Sequence, residues 1–235
     1  IFLPVINPDD VHRARTRLVS LENTCNRGGG SCYNLAEIAK IRSLCDAHGL
    51  GLHLDGARLM NAIVANQENP KDYGKMFHSI SLCLSKGLGA PVGSVLLGDA
   101  AFIKQARRVR KVMGGGMRQA GYLAAAGLFA MEHNINRLAE DHAHAKLLAS
   151  ALVSCNWVGE IFPVETNIVI FEVLGNGDSA AGISSSLKTA PEIIAALLSQ
   201  NIRVSAMSPT HIRMVTHLGV TLEMIHRTVE VLKGL

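Results

Sequence analysis

Apolar residues recur with two different periods along the first part of the chain, and each period predicts a different element. The segment RTRLVSLEN predicts a strand around Leu18–Leu21, and apolar residues then repeat at helical spacing over residues 35–44 until Gly49. The segment LGLHLD (50–55) alternates with period two, which predicts a second strand. A strand, a helix and a strand in this order predict a βαβ unit with parallel strands.

The same pattern continues toward the middle of the chain. A second helix is predicted from about Asn61, and SISLCLS (79–85) alternates again as a strand. A short strand, VGSVLLG (92–98), and an amphipathic helix, DAAFIKQARRVRKV (99–112), follow, and the glycines at 114–116 end that helix. Strands that alternate with helices predict an α/β domain built on a mostly parallel sheet.

The pattern changes in the last third of the sequence. An Ala-rich helical stretch runs from Met117 to about Leu152 and is long enough to link two domains. Beyond it, the pattern predicts a compact α+β module with strands in FPVETNIVIFEV, IRVSAM and HIRMVTH, a helix in APEIIAALLSQ and a last helix from Thr221. The small, polar segment GNGDSAAGISSS (175–186) is interpreted as a surface loop. We therefore predict a large domain over 1–130, a linking helix over 131–155 and a small C-terminal α+β domain over 156–235.

Composition narrows the classes of function. Hydrophobic residues make up 48% of the 235 residues and charged residues 18%, as in a globular protein, and the aromatic share of 4% disfavours base-stacking surfaces. The net charge is +4, but the cations are scattered among acids. The dense patch RRVRK at 107–111 is more typical of a solvated helix face than of a phosphate-binding surface. Nucleic-acid binding is the least favoured alternative, and it would depend on Arg107, Arg108, Arg110 and Lys111.

Cysteine content and hydropathy bear on location and partners. The five cysteines form no CxxC motif and are odd in number, which disfavours a disulfide framework or a zinc site. We therefore expect no metal, a reducing compartment and a cytoplasmic protein. No apolar run approaches the roughly twenty residues that a membrane helix needs, so we expect no membrane partner. The chain opens Ile-Phe-Leu-Pro without an initiator methionine, and we expect it to be a fragment of a longer protein.

Two side chains of opposite charge end neighbouring predicted strands. Asp55 ends LGLHLD and Lys86 ends SISLCLS, and ligands of open parallel sheets bind beyond such strand ends. Alone, Asp55 is more often a helix cap and Lys86 a surface lysine, but Gly87 and Gly89 let backbone approach whatever Lys86 contacts. Together they predict a pyridoxal phosphate (PLP) site, which needs a lysine for the imine and an acid that keeps the pyridine nitrogen protonated.

Four spaced motifs carry a resemblance to a known family. HLDGARLMNA, CLSKGLGAPVGS, RKVMGGGMRQAG and IRMVTH together resemble the low-specificity L-threonine aldolase family, a PLP-dependent group of fold type I, and the match runs through essentially the whole chain. The resemblance implies a retro-aldol cleavage of L-threonine or L-allo-threonine, which are β-hydroxy-α-amino acids, to glycine and acetaldehyde. It also implies a homotetramer, or at least a dimer, with sites shared between subunits.

The resemblance implies roles for individual residues. Lys86 would form the imine with PLP, and Asp55 would face the pyridine nitrogen. Arg58, three residues after Asp55, would anchor the cofactor or the substrate; the alternative is a surface arginine at a helix start. Arg213 in HIRMVTH would bind the substrate α-carboxylate, as a bidentate arginine can, with an ion pair between domains as the alternative.

Other positions are assigned less directly by the resemblance. His12 would accept or orient the hydroxyl proton, although a loop histidine without a catalytic part and a water as the base stay open. Lys111, the glycines at 114–116 and Arg118 would lie near the cofactor or substrate across a subunit boundary, or the glycines simply break a helix.

The sequence also departs from the family pattern. In the segment Glu22-Asn23-Thr24-Cys25, the cysteine stands where the family usually has histidine, so it is given no catalytic role. The family also usually has a proline near the position of Asn34. The phosphate loop and ring-stacking histidine of the family have no counterpart in this sequence. Two further functions therefore stay open: β-elimination or transamination on the same fold, and a catalytically silent paralogue.

Overall fold

The computed structural model describes residues 6–175 and 189–235, and within them the strands form two four-stranded sheets, each with its own apolar core. The segment predicted as a polar surface loop lies, from residue 176 onward, outside the described residues. In the part of the chain that is described, no helix combines the length and the apolar character needed to cross a membrane.

The first sheet confirms the predicted α/β class. Its strands, in spatial order, are β1 (Leu18–Glu22), β2 (Gly51–Gly56), β3 (Ser79–Cys83) and β4 (Ser94–Gly98). The first three are parallel, and β4 is antiparallel to β3. The helices of this region are α1 (Leu35–Ala47), α2 (Leu59–Asn66), α3 (Pro70–Met76) and α4 (Ala100–Val112).

Alternation along the strands produces one buried face. Leu52 and Leu54 of β2 and Ile80 and Leu82 of β3 are buried, while the residues between them are at least partly exposed. Period-two alternation places every second side chain on the same face, so these four side chains form the first core with the helices that cover it. By contrast, every residue of β4 is exposed, and α4 contains no buried residue.

The sequence interpretation missed helix α3, although its start carries a clear signal. The Asn69 side chain accepts a hydrogen bond from the backbone N–H of Lys71 at 3.0 Å, and Pro70 occupies the first helical turn. An asparagine cap followed by proline is a favoured helix start, because proline lacks a donor that would be unsatisfied there in any case.

The second sheet confirms the C-terminal α+β module, with shorter strands than predicted. Its strands, in spatial order and all antiparallel, are β5 (Val158–Ile161), β6 (Ile168–Val173), β8 (His211–Val215) and β7 (Ser205–Ala206). It packs with α7 (Ala190–Ser199) and α8 (Leu222–Gly234). The predicted strand FPVETNIVIFEV begins only at Ile168, because Pro163 has no N–H to donate and Glu165 and Thr166 bond to the loop after β1.

The Ala-rich stretch contains two helices, α5 (Gly121–His133) and α6 (Leu138–Leu152). The chain between them turns at Asn134, whose side-chain amide donates to the carbonyl of Leu88 at 2.7 Å. Helix α6 connects the two cores, since Leu138 packs in the first and Leu148 in the second. The exact division into domains at 130 and 155 stays a prediction.

Candidate active site

Asp55 and Lys86 lie at the same edge of the first sheet. Asp55 is the fifth residue of β2 and pairs with Ser81 of the parallel strand β3, and Lys86 follows three residues after the end of β3. Both side chains are exposed. One carboxylate oxygen of Asp55 accepts a hydrogen bond from the backbone of Ala57 at 3.0 Å, which fixes the turn into α2. Their assignment to a cofactor stays a prediction.

The turn that carries Lys86 is held by the backbone bonds around it. The carbonyl of Lys86 accepts from the N–H of Gly89 at 2.9 Å, and Leu88 receives the Asn134 bond described above. Gly89 has a φ of +75°, and a Cβ there would lie 2.9 Å from a methyl of Leu218. The glycine is favoured because side chains rarely adopt this backbone conformation and an added Cβ would crowd the Leu218 side chain. The turn is therefore fixed although the lysine side chain is free to reach a ligand.

A buried polar pair packs against the same turn. Asn61 of α2 and His142 of α6 are both buried, and the Asn61 amide nitrogen lies 3.2 Å from Nε2 of His142. A Cβ at Gly87 would lie 2.9 Å from Leu138 and 3.2 Å from the Asn61 oxygen. Burial lowers the pKa of His142, with Lys146 acting in the same direction and Asp141 in the opposite one, so the ring is favoured in its neutral form.

A cavity of about 430 Å³ lies beside this turn. It is bounded on one side by Arg58, Ser85 and Lys86 and on the other by residues after β8, including His217 and Leu218. Residues that follow strands of both sheets thus face one space. Cavities of this size at such junctions are typical of small-molecule sites.

Two arginines from different sheets converge on one oxygen atom. Arg58 follows β2, and Arg213 lies in β8. Nη1 of Arg213 donates to Oδ1 of Asn26 at 2.8 Å, and Nη1 of Arg58 donates to the same oxygen at 3.3 Å. Arg213 also donates from Nε to the hydroxyl of Ser205 at 3.3 Å. The Arg213 partners are uncharged, so its cation is available to an anionic ligand.

The pKa of Arg58 reflects its partly buried position beside Arg213. Burial lowers the pKa of Arg58, and the nearby positive charge of Arg213 lowers it further, while Glu22 acts in the opposite direction. The Arg58 guanidinium stays protonated all the same, since arginine keeps its charge in proteins. Two partly buried cations that repel each other favour the binding of an anion between them, and a planar carboxylate matches the donor geometry of a guanidinium.

The loop that carries Asn26 is anchored to the second module. Its ends are paired through Cys25 and Ser31, whose backbone atoms bond at 2.9 Å. The hydroxyl of Thr166 donates to the carbonyl of Gly30 at 2.7 Å, and a Cβ at Gly30 would lie 2.5 Å from that hydroxyl. The position of Asn26 relative to Arg213 is therefore fixed by direct contact between the modules.

Three predicted site residues lie apart from this arrangement. His12 is exposed, and its backbone N–H, not its ring, bonds to Asp10 at 2.8 Å. Lys111 lies in the last turn of α4, and Arg118 follows the glycines; both side chains are exposed. In the described part of the chain, no hydrogen bond joins these three side chains to Lys86 or Arg213. Their roles stay predictions.

Sequence reasoning missed the residues that position the arginines and the lysine. Asn26 directly follows the Glu22-Asn23-Thr24-Cys25 segment. An asparagine in a loop with glycines gives no periodic signal, and Asn134 lies within a helical pattern. Only the placement of Arg58, Arg213 and Leu88 around them identifies these amides as functional candidates.

A family model described as beta-eliminating lyase matches residues 4–175 of this chain. A low specificity L-threonine aldolase of Escherichia coli strain K12 is 40% identical over 220 residues, which are 94% of this chain and 60% of that protein. The chain thus spans about 60% of the length of this curated relative.

Solved structures show the same fold. A threonine aldolase of Leishmania major matches with a TM-score of 0.74 at 22% identity, over 96% of this chain and 63% of that one. A structure of SPT with a PLP internal aldimine matches with a TM-score of 0.63 at 17% identity, over 94% of this chain and 55% of that one. The fold is that of fold type I PLP-dependent enzymes, and the resemblance drawn from the four motifs is confirmed.

Proposed function

Because this chain belongs to the beta-eliminating lyase family, we propose that it acts as a PLP-dependent aldolase on β-hydroxy-α-amino acids. The reaction is the cleavage of L-threonine or L-allo-threonine to glycine and acetaldehyde. The observation that carries this proposal is the convergence of Arg58 and Arg213 next to the cavity that Lys86 borders. An α-carboxylate site beside an exposed lysine fits an amino acid substrate. The name of the Escherichia coli relative supports the choice of threonine.

The residues present fit the cofactor. An exposed amine and an exposed carboxylate lie at one sheet edge, and the cavity beside Lys86 opens between the modules. Lys86 would hold PLP through its Nζ, and Asp55 would bond to the pyridine nitrogen. When bound, PLP supplies an imine-forming carbonyl and a ring that accepts the electrons of a broken bond.

The chain's own groups would then orient the substrate and move protons. Arg58 and Arg213 would bind the two carboxylate oxygens, which sets the rotation about Cα and thereby selects the Cα–Cβ bond for cleavage. The hydroxyl proton would pass to His12 or to a water, Cβ would leave as the carbonyl of acetaldehyde, and a proton would be returned to Cα, with the Lys86 amine as its carrier.

The name of the matching family favours one competing function, which is β-elimination. The two reactions differ in their products, because aldol cleavage gives glycine and an aldehyde, whereas elimination gives a 2-oxo acid and ammonia. We expect glycine and acetaldehyde in equal amounts from the full-length protein with L-threonine or L-allo-threonine and added PLP. Ammonia and a 2-oxo acid instead would refute the aldolase proposal. A protein that retains no visible absorbance once unbound PLP has been removed would indicate a silent paralogue.

We also propose a homo-oligomer, at least a dimer and by resemblance a tetramer, located in the cytoplasm. Apolar side chains on and after α4 support an assembly, since Val112, Met113 and Tyr122 are 84%, 80% and 91% exposed. Exposed apolar patches are typical of interaction surfaces. Light scattering of the full-length protein tests this, and a monomer at micromolar concentration would contradict it.

A further inference from the structure

Asn26 makes the contact that joins the two arginines, and neither the motifs nor the family match assigns it a role. Its Oδ1 accepts from Arg213 at 2.8 Å and from Arg58 at 3.3 Å. The oxygen is neutral, whereas its two donors are cations. A neutral acceptor brings the cations together without cancelling their charge.

The position of this oxygen is set by its loop. The backbone N–H of Asn26 donates to a carboxylate oxygen of Glu22 at 3.2 Å, which orients the residue just after β1. The loop is further closed at Cys25 and Ser31 and bonded to Thr166 of the second module. The amide is therefore held between the modules without help from the arginines.

We propose that Asn26 is a positioning and specificity-determining residue for the substrate α-carboxylate. It holds Arg58 and Arg213 in converging positions before the substrate arrives, and it then shares these donors with the carboxylate. Because it is uncharged, it leaves the pair's positive charge to select an anionic substrate. This inference rests on the proposed function, since it concerns the amino acid that the same site would bind.

The charge of the residue gives the sharpest test. Asn26→Asp has nearly the same shape and keeps an oxygen acceptor, but it places a resident carboxylate on both arginines. We expect it to compete with the substrate and to weaken binding more than Asn26→Ala, which only removes the acceptor. A merely structural role predicts the reverse order, because aspartate would then replace the lost hydrogen bonds.

The measurement is glycine binding to the full-length, PLP-loaded protein by calorimetry, together with KM and kcat for L-threonine. We expect Asn26→Asp to weaken glycine binding and raise KM by about 10- to 100-fold, because the resident carboxylate competes with the substrate for the charge-assisted hydrogen bonds of both arginines. We expect Asn26→Ala to raise KM by about 3- to 10-fold and kcat to change less in both variants. PLP affinity, followed by visible absorbance, should stay within about twofold of the wild type, since a uniform loss of substrate binding raises KM and leaves the cofactor site intact.

Arg27→Gln is the matched control. Arg27 is the next residue and is exposed, and its replacement changes the net charge by the same −1 as Asn26→Asp. We expect it to keep wild-type glycine binding. An equal loss of glycine binding in Arg27→Gln and Asn26→Asp would overturn the inference. The effect would then come from the changed net charge of the loop and not from the contact with the arginines.

Other outcomes also decide the matter. Glycine binding by Asn26→Asp as tight as by the wild type, or tighter than by Asn26→Ala, overturns the inference while an active wild type leaves the aldolase proposal standing. A wild type that binds glycine but releases a 2-oxo acid and ammonia refutes the aldolase reaction, and the Asn26 order is still tested on glycine. A wild type that does not bind glycine refutes both.

If Asn26→Asp does not fold, Asn26→Ser replaces it. Serine is a neutral and shorter acceptor, so the glycine affinity of Asn26→Ser should lie between those of Asn26→Ala and the wild type. Equal glycine affinities of Asn26→Ala and the wild type overturn the inference.

Discussion

The arginine side of the candidate site and its lysine side differ in how the functional side chains are held. Arg58 and Arg213 are half-buried, and their guanidinium groups bond to one amide oxygen between two modules. Lys86 and Asp55 have exposed side chains, and it is the backbone beneath Lys86 that is tightly bonded. The proposed carboxylate site is thus preorganised in its side chains, and the proposed lysine site in its backbone. Substitutions on the two sides should therefore have different consequences.

The largest expected effect is on the lysine side. Lys86→Ala should lower turnover by at least about 10³-fold, since proton transfer by a positioned side chain alone contributes about 10²–10⁴-fold. The thermal midpoint should change little, because the side chain is exposed. Steady-state kinetics measures the turnover, and a melting curve measures the thermal midpoint. Lys40→Ala, at an exposed position of α1, should leave activity unchanged. Wild-type turnover in Lys86→Ala would disprove the proposed mechanism.

On the arginine side, binding should suffer more than turnover. Arg213→Ala should raise KM for L-threonine by about 10- to 100-fold, in line with the 1.5–3 kcal/mol of a charged hydrogen bond. Arg213→Lys should recover only part of this, because an ammonium lacks the planar fork. Arg203→Gln, which is exposed, is the control. An unchanged KM in Arg213→Ala would favour a purely structural contact between modules.

An added side-chain atom in the turn that carries Lys86 should lower both stability and turnover. Gly87→Ala places a Cβ 2.9 Å from Leu138 and should cost about 1–3 kcal/mol of unfolding free energy, as overpacking does. It should also lower kcat, because the turn moves Lys86. Gly74→Ala is the matched control: Gly74 lies in α3 with nothing within 4 Å of its added Cβ, and alanine there should be neutral or slightly stabilising. Denaturant unfolding and kcat measure both variants. A Gly87→Ala protein with wild-type stability and rate would show that the turn is not tightly constrained.

The smallest effect concerns the buried support of that turn. Since burial lowers the pKa of His142, the folded protein resists its protonation, whereas the unfolded chain takes up a proton below about pH 6.5. This contribution to stability is present at neutral pH and is lost as the pH falls toward the lowered pKa. Thermal midpoints at pH 7.5 and 5.5 should therefore drop more for the wild type than for His142→Gln. The exposed His48→Gln should keep the wild-type dependence, and an equal drop in His142→Gln would contradict the assignment.

The elements of the fold differed in how far the sequence predicted them. Alternation over LGLHLD and SISLCLS predicted strands that the structure confirms as β2 and β3, because burial of one face requires period two. The segment FPVETN was wrongly predicted as strand. Its apolar Phe162 and Val164 fit the alternation, but the polar side chains of Glu165 and Thr166 bond to a loop more than a hundred residues earlier. A local pattern carries no information about such a partner.

The residues of the candidate site also differed in how far the sequence predicted them. Asp55 and Lys86 could be identified from the sequence because each ends an apolar strand, and parallel strands bring their carboxyl ends to one edge of the sheet. Arg58 and Arg213 were identified through motifs, but their meeting at Asn26 could not be predicted. It depends on how the second sheet docks against the first, which is set by contacts between residues distant in sequence.

The sequence by itself determined the α/β class, the family and the residues that end the strands, because hydrophobic periodicity and short motifs are local properties of the chain. Only the tertiary structure decided which amides hold the functional groups. Asn26 gathers the two arginines and Asn134 fixes the lysine turn, and both act through hydrogen bonds across long sequence separations. The direction and partner of such a bond exist only once parts of the chain that are distant in sequence have packed together.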